Sequence, residues 1–300
     1  MEQQKGILLE SGTNELEIVE FNVGGSSYGI NVIKVKEILM PVKVTAIPHS
    51  HKYVEGIIEL RGEVLPVVCI ADALGVALDK SLNDKFIVTE FNKQKLVFRV
   101  STVTQIHRIS WEQIEKPSSM YQGEATQVTG VVQLNGEMIL LLDFEKIVVE
   151  INPSAGMTVE SVQKLGKRSR SAKNILIAED SPLLRKLLNE TLTEAGYENL
   201  EFFENGQEAL EYLLHLKSEK GSIEEYVQLV ITDIEMPKMD GHHFTKRIKQ
   251  EEDLQTLPVI IFSSLITNDL LHKGKMVGAD AQVSKPEIRE LVAEIDKYVL

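Results

Sequence analysis

One cysteine in 300 residues, Cys69, leaves no internal disulfide to be made. It lies in an apolar, strand-like run, where a free thiol is ordinarily an inert core residue in a reducing compartment. Long apolar runs are missing too: stretches such as Met138 to Leu142, or Val227 to Ile231 with Gln228 inside it, fall far short of the roughly 20 residues that cross a bilayer. Met1 to Gly12 carries no signal-peptide core, so a soluble, cytoplasmic chain is expected. Basic residues are fewer than acidic ones, 32 against 45, and the resulting net charge of −13 excludes a phosphate-backbone partner, which needs a cationic surface. Trp111 and the scattered Phe and Tyr are not interleaved with Lys or Arg as a nucleic-acid platform requires. The histidines, His49, His51, His242 and His243 among them, show no ligand spacing with cysteine or with further acids. Gly24-Gly25 reads as a hairpin turn, because neither Lys-Ser/Thr nor a helix start follows it as in a phosphate loop.

What remains is a chain with 43% apolar residues and more length than one compact core needs, so two domains are expected. Asn152 to Lys173 (NPSAGMTVESVQKLGKRSRSAK) is rich in Pro, Gly, Ser and cations and has no sustained hydrophobic period. Charge marks the same place. Residues 1–160 carry 14 basic and 21 acidic groups, residues 161–173 five and none, and residues 174–300 carry 13 and 24. The expected division is a domain over 1–151, a solvated tether over 152–172 and a second domain over 173–300.

Before the tether, short strands and turns contain a degenerate repeat. Gly56 to Leu65 (GIIELRGEVL) aligns with Gly130 to Ile139 (GVVQLNGEMI), each a β-hairpin with a glycine turn. Upstream, Glu20-Phe21-Asn22 echoes Glu90-Phe91-Asn92, and Val32, Val35 and Ile38 echo Val100, Val103 and Ile106. The order of elements is duplicated, which implies an all-β region of two similar small barrels in tandem.

After the tether, strand and helix alternate. Asn174 to Ala178 is an apolar strand, and Ser181-Pro182 supplies an N-cap and a first-turn proline for a helix to about Ala195. Glu201 to Phe203, Gln228 to Thr232, Val259 to Phe262 and Ala281 to Ser284 complete five strands. A final helix from Glu287 sets Ile288, Leu291, Val292, Ile295 and Val299 on one face. This pattern predicts a doubly wound α/β domain with a five-stranded parallel sheet, whose site lies at the carboxyl ends of its strands.

Chemistry-bearing residues stand at those ends: Glu179 and Asp180 after the first strand, Asp233 after the third, Ser263 after the fourth, Lys285 after the fifth. Three close carboxylates repel unless a cation neutralises them, and an all-oxygen set suits Mg²⁺. Asp233 is then the candidate nucleophile toward a phosphoryl donor, with Lys285 as a second positive charge. Ser263 can donate its hydroxyl to a phosphoryl oxygen, and the backbone carbonyl of Glu235 is a further metal ligand.

Residues from about Lys173 to Leu300 resemble the receiver domain of two-component response regulators. The resemblance rests on Glu179-Asp180-Ser181, on Asp233 to Gly241 (DIEMPKMDG), on Pro258 to Ser264 (PVIIFSS) and on Ser284-Lys285-Pro286. It implies phosphotransfer from a kinase phosphohistidine to Asp233, which becomes 4-aspartylphosphate, and no enzymatic activity beyond self-phosphorylation and autodephosphorylation. Gln282 stands where many members carry an aromatic switch residue, so an aromatic flip is not expected as the readout.

Residues from about Leu16 to Glu150 resemble the CheW-like coupling family of bacterial chemotaxis, on Val35-Lys36-Glu37-Ile38 and both hairpin segments. The resemblance implies that Arg61, at the first hairpin tip where the second copy has Asn135, contacts a receptor or kinase together with Glu37 and Val35. The fusion order resembles the CheV-type coupling proteins. It implies an adaptor that couples chemoreceptors (methyl-accepting chemotaxis proteins) to a chemotaxis histidine kinase at receptor arrays, touching the membrane only through receptors and retuned by phosphorylation of Asp233. A phosphate sink that drains the kinase without altering coupling is the alternative reading.

Overall fold

The structure is a computed structural model. It describes residues 14–77, 83–91, 94–116, 127–152, 157, 162–164, 169–265 and 267–300. The chain packs as two compact units, one made of Leu16–Ile109 and Gln113–Pro153, the other centred on Ser154–Leu300. Among the described residues no helix is long and apolar enough to cross a membrane.

The first unit holds strands β1 (Glu15–Val23), β2 (Ser26–Asn31), β3 (Val35–Leu39), β4 (Val54–Leu60), β5 (Glu63–Cys69), β6 (Lys85–Phe91), β7 (Gln94–Val100), β8 (Thr102–Ser110), β9 (Val128–Leu134) and β10 (Glu137–Leu142). They form two five-stranded sheets, ordered β8-β1-β2-β10-β9 and β3-β6-β7-β5-β4. The expected pair of similar β units is therefore present, but the two are nested along the chain. The second sheet uses consecutive strands, and the first is completed only when β8 to β10 return to β1 and β2. Short helices α1 (Ile70–Leu74) and α2 (Phe144–Ile151) follow the equivalent strands β5 and β10.

The repeat is legible in the backbone. In both hairpins a two-residue turn has both residues at positive φ, 53° and 84° at Arg61-Gly62 and 52° and 86° at Asn135-Gly136, the twist that a tight antiparallel turn demands. Gly24-Gly25 repeats it between β1 and β2 at 58° and 83°, as the sequence predicts. β4 and β9 share one pattern of burial along their seven residues. Each also takes a bridge at the same repeat position, Thr45 to Ile57 and Glu115 to Val131. Glycine precedes each bridge because the partner segment lies close: a Cβ at Gly56 would overlap the Thr45 carbonyl, and one at Gly130 the Ile114 side chain. Phe21, Phe98 and Phe144 meet in the larger apolar core, with Cys69 buried among the same residues. Burial raises the Cys69 thiol to about 11, in keeping with an inert role.

The second unit alternates β11 (Ser171–Ala178), α3 (Pro182–Glu194), β12 (Tyr197–Phe203), α4 (Gly206–Lys220), β13 (Leu229–Thr232), α5 (Gly241–Gln250), β14 (Val259–Ser263), α6 (Asn268–Met276), β15 (Ala281–Ser284) and α7 (Ile288–Val299). The sheet is parallel in the order β12-β11-β13-β14-β15, so strand order reverses beside β11. Successive side chains of a strand face opposite ways, and both faces here are covered. Ile175, Ile177, Leu229 and Ile231 enter the core under α3 and α7, while Leu176, Ala178 and Val230 enter the one under α4 and α5. Ser181 caps α3 with Pro182 in its first turn, and the five predicted apolar residues of α7 are all buried.

The segment expected as a solvated tether is more attached than its composition implies. Met157 and Val162 are buried in the core under α3 and α7, and the Ser171 hydroxyl donates to the Val299 carbonyl at 2.9 Å. Residues 153–156, 158–161 and 165–168 of it lie outside the described residues.

Candidate functional site

The carboxyl ends of the second unit's strands bring the expected residues together. Glu179 and Asp180 follow β11, and Asp233 follows β13 with its backbone N–H bonded to the Ala178 carbonyl at 2.9 Å. Carboxylate oxygens of Glu179, Asp180 and Asp233 all lie within 4.8 Å of one another. Lys285, after β15, reaches in: its Nζ is 2.8 Å from Glu179 Oε2 and 3.1 Å from Asp233 Oδ2, and the side chain is 2% exposed.

Several local contacts hold the acids in place. The Ile234 N–H donates to Asp233 Oδ1 at 2.7 Å, and the Ser181 N–H donates to Glu179 Oε1 at 3.2 Å. Gly241, the first residue of α5, packs on the Asp233 carbonyl so closely that any Cβ would overlap it, which gives the Asp-Gly pair a role beyond turn formation. Asp240 caps α5 by accepting from the His243 N–H at 2.7 Å, and burial raises its carboxyl above the usual range. Ser263 ends β14 fully buried; its Oγ accepts from the Leu265 N–H at 3.3 Å, and its carbonyl accepts from the Lys285 N–H at 2.9 Å. Glu235 is partly buried on the loop after Asp233.

Lys285 pairs with two of the three carboxylates, which leaves a local excess of negative charge carried on oxygen alone. That donor set fits a hard divalent ion such as Mg²⁺ and offers nothing to a thiolate- or imidazole-seeking metal.

Arg185 also serves the site and carries no motif to announce it. One turn into α3, its Nη1 donates to the backbone carbonyls of Glu179 and Asp180, both at 2.8 Å, and its Nη2 to Glu204 at 3.1 Å. Its place one helical turn past the Ser181 cap is the only sequence signal that could have found it. Gln282 on β15 donates through Nε2 to the Leu271 carbonyl of α6, so the position expected to lack an aromatic ring is filled by a hydrogen-bonding amide.

In the first unit, Arg61 stands 77% exposed at the β4–β5 tip and pairs with Glu37 of β3 at 2.7 Å. Val35 begins the same strand, partly buried.

Comparison with known proteins finds a separate family match in each part of the chain. Residues 17–152 match the CheW-like domain and residues 175–296 the response regulator receiver domain. Chemotaxis protein CheV3 of Helicobacter pylori is 31% identical over 95% of this chain and 95% of its own length. CheV2 of the same organism is 30% identical over 88% of this chain and 87% of its own. Among solved structures, the scaffolding protein TtCheW of Thermoanaerobacter tengcongensis is similar at 28% identity and a TM-score of 0.41, covering 43% of this chain and 84% of that one. The chain belongs to the CheV-type chemotaxis proteins, coupling adaptors in which a CheW-like domain is joined to a response regulator receiver domain.

Proposed function

We propose that this adaptor links chemoreceptors to a chemotaxis histidine kinase and that phosphorylation of Asp233 retunes the link. The observation that carries the regulatory half is the Lys285 ammonium set between Glu179 and Asp233, beside Asp180. In the receiver, an Asp233 oxygen attacks the phosphorus of a phosphohistidine, the P–N bond breaks as the P–O bond forms, and the imidazole leaves. Lys285 is already desolvated and aimed at Asp233, so it neutralises phosphoryl charge without reorganising. Mg²⁺, held by the Glu179, Asp180 and Asp233 carboxylates and the Glu235 carbonyl, would supply the remaining neutralisation of the phosphoryl oxygens. Ser263 donates its hydroxyl to a phosphoryl oxygen and draws the β14–α6 segment toward Asp233.

The coupling half rests on the Arg61–Glu37 pair, exposed at the arginine, with Val35 on the same strand as Glu37. A charged hairpin tip suits a protein partner, and Arg61 is exposed enough to exchange its Glu37 contact for one across an interface.

The test is a purified mixture of receptor, kinase and adaptor, assayed for kinase activity under phosphorylating conditions. Wild type and Asp233→Asn should diverge as phosphoryl groups accumulate; identical activity would remove the regulatory role.

A further inference from the structure

Helix α6 is pinned from the sheet by a side chain that the phosphotransfer chemistry leaves unused. Gln282 Nε2 donates to the Leu271 carbonyl at 2.8 Å, while Oε1 of the same amide is buried without a hydrogen-bond partner. The helix is shaped to receive that amide. Glycine is the poorest helix former after proline, yet Gly274 sits inside α6, and a Cβ there would overlap the Gln282 carboxamide. The helix thus gives up local propensity to leave a slot for the amide.

This contact is wired to the acceptor site through one strand pair. Gln282 lies opposite Ile261 and Ser284 opposite Ser263 across β14 and β15. Ser263 Oγ holds the Leu265 N–H, and the chain from there enters α6 at its cap, where Thr267 accepts from the Leu270 N–H. A Ser263 hydroxyl that turns toward a phosphoryl group on Asp233 therefore pulls on the start of α6. The Gln282–Leu271 bond fits only one position of that helix, which makes it a differential interaction between two states. Its unsatisfied Oε1 keeps the latch weak, because release lets that oxygen find water.

We propose that the Gln282 amide is a latch on α6 that favours the unphosphorylated receiver and so opposes phosphorylation of Asp233. The proposal rests on the reading of Asp233 as the acceptor.

Two variants of the full chain remove the latch from opposite sides: Gln282→Leu deletes the donor, and Gly274→Ala fills the slot. The probe is beryllofluoride with Mg²⁺, an acyl-phosphate mimic, titrated by calorimetry, with hydrogen exchange of α6 followed in parallel. Both variants should bind the mimic about fivefold tighter than wild type, the effect of losing one hydrogen bond from the resting state alone. Their α6 amides should already exchange as those of mimic-bound wild type do. Wild-type affinity in both variants, or weaker binding, overturns the latch and leaves the acceptor site standing. Tightening in Gly274→Ala alone overturns it as well, because helix propensity would then be the cause. Absence of binding to wild type overturns the acceptor reading and the latch with it.

Discussion

The Lys285 ammonium lies 3.1 Å from Asp233 Oδ2, with the two side chains 2% and 5% exposed. Such a pair, shared with Glu179, is held together because neither charge can return to water without unfolding the strand ends. Lys285→Met should therefore cost about 3–5 kcal/mol in the absence of Mg²⁺, the usual result of stranding buried charge. Added Mg²⁺ should stabilise this variant more than wild type, since it takes over the missing neutralisation. Urea unfolding with Mg²⁺ and with EDTA measures both; a variant indifferent to Mg²⁺ would speak against a metal among these carboxylates.

Gly241 is required by proximity to Asp233 rather than by an unusual backbone. Gly241→Ala forces a methyl against the Asp233 carbonyl, for an expected cost of about 1–3 kcal/mol. It should also weaken Mg²⁺ binding. Gly221, at a φ of 80° with open space around it, is the control: Gly221→Ala meets only backbone strain and should leave Mg²⁺ affinity unchanged.

Arg61 occupies a left-handed turn position, and its repeat partner Asn135 shows which neutral residue suits that backbone. Arg61→Asn should change stability by less than about 1 kcal/mol, because the Glu37 pair is exposed on the arginine side. Binding to receptor tips or kinase should fall by more than tenfold if this tip is a contact. Pull-down beside a thermal melt separates the two effects, and intact binding would move the interface elsewhere.

His242 is buried in α5, and burial, helped by nearby Lys273, holds its imidazole down at about 3. Between that value and the ordinary range near 6.5, the unfolded chain binds a proton that the native chain refuses. Stability from this group is thus complete above about pH 6.5 and is lost as pH falls, by up to about 1.4 kcal/mol per unit. The raised carboxyl of Asp240 acts with the opposite sign, so the comparison is between wild type and His242→Leu at each pH. The gap between their unfolding free energies should shift in favour of the leucine variant from pH 7 to pH 5, and a constant gap would refute the assignment.

Most of the second unit is legible in the sequence. Its apolar strands, the Ser181-Pro182 helix start and the periodic face of α7 are local signals, and the order of strand and helix leaves few topologies open. The acidic and lysine positions were readable for the same reason: in a doubly wound sheet, residues that follow strands converge whatever lies between them. Arg185 was not readable, since two of its three hydrogen bonds are to backbone carbonyls and leave no pattern of residue types. The burial of Met157 and Val162 was equally hidden in a segment whose composition is that of a linker.

Sequence alone determined the duplication in the first unit, because hairpins with paired positive-φ turns write themselves as Arg-Gly and Asn-Gly between alternating apolar residues. Only the tertiary structure decided that the two sheets are nested, since strand partnership across long separations depends on which edges are left open. The same holds for Asp233. Its place after a strand marked it as the candidate acceptor, but the 3.1 Å ammonium beside it, the glycine pressed on its carbonyl and the amide on α6 come from elements that meet only on folding.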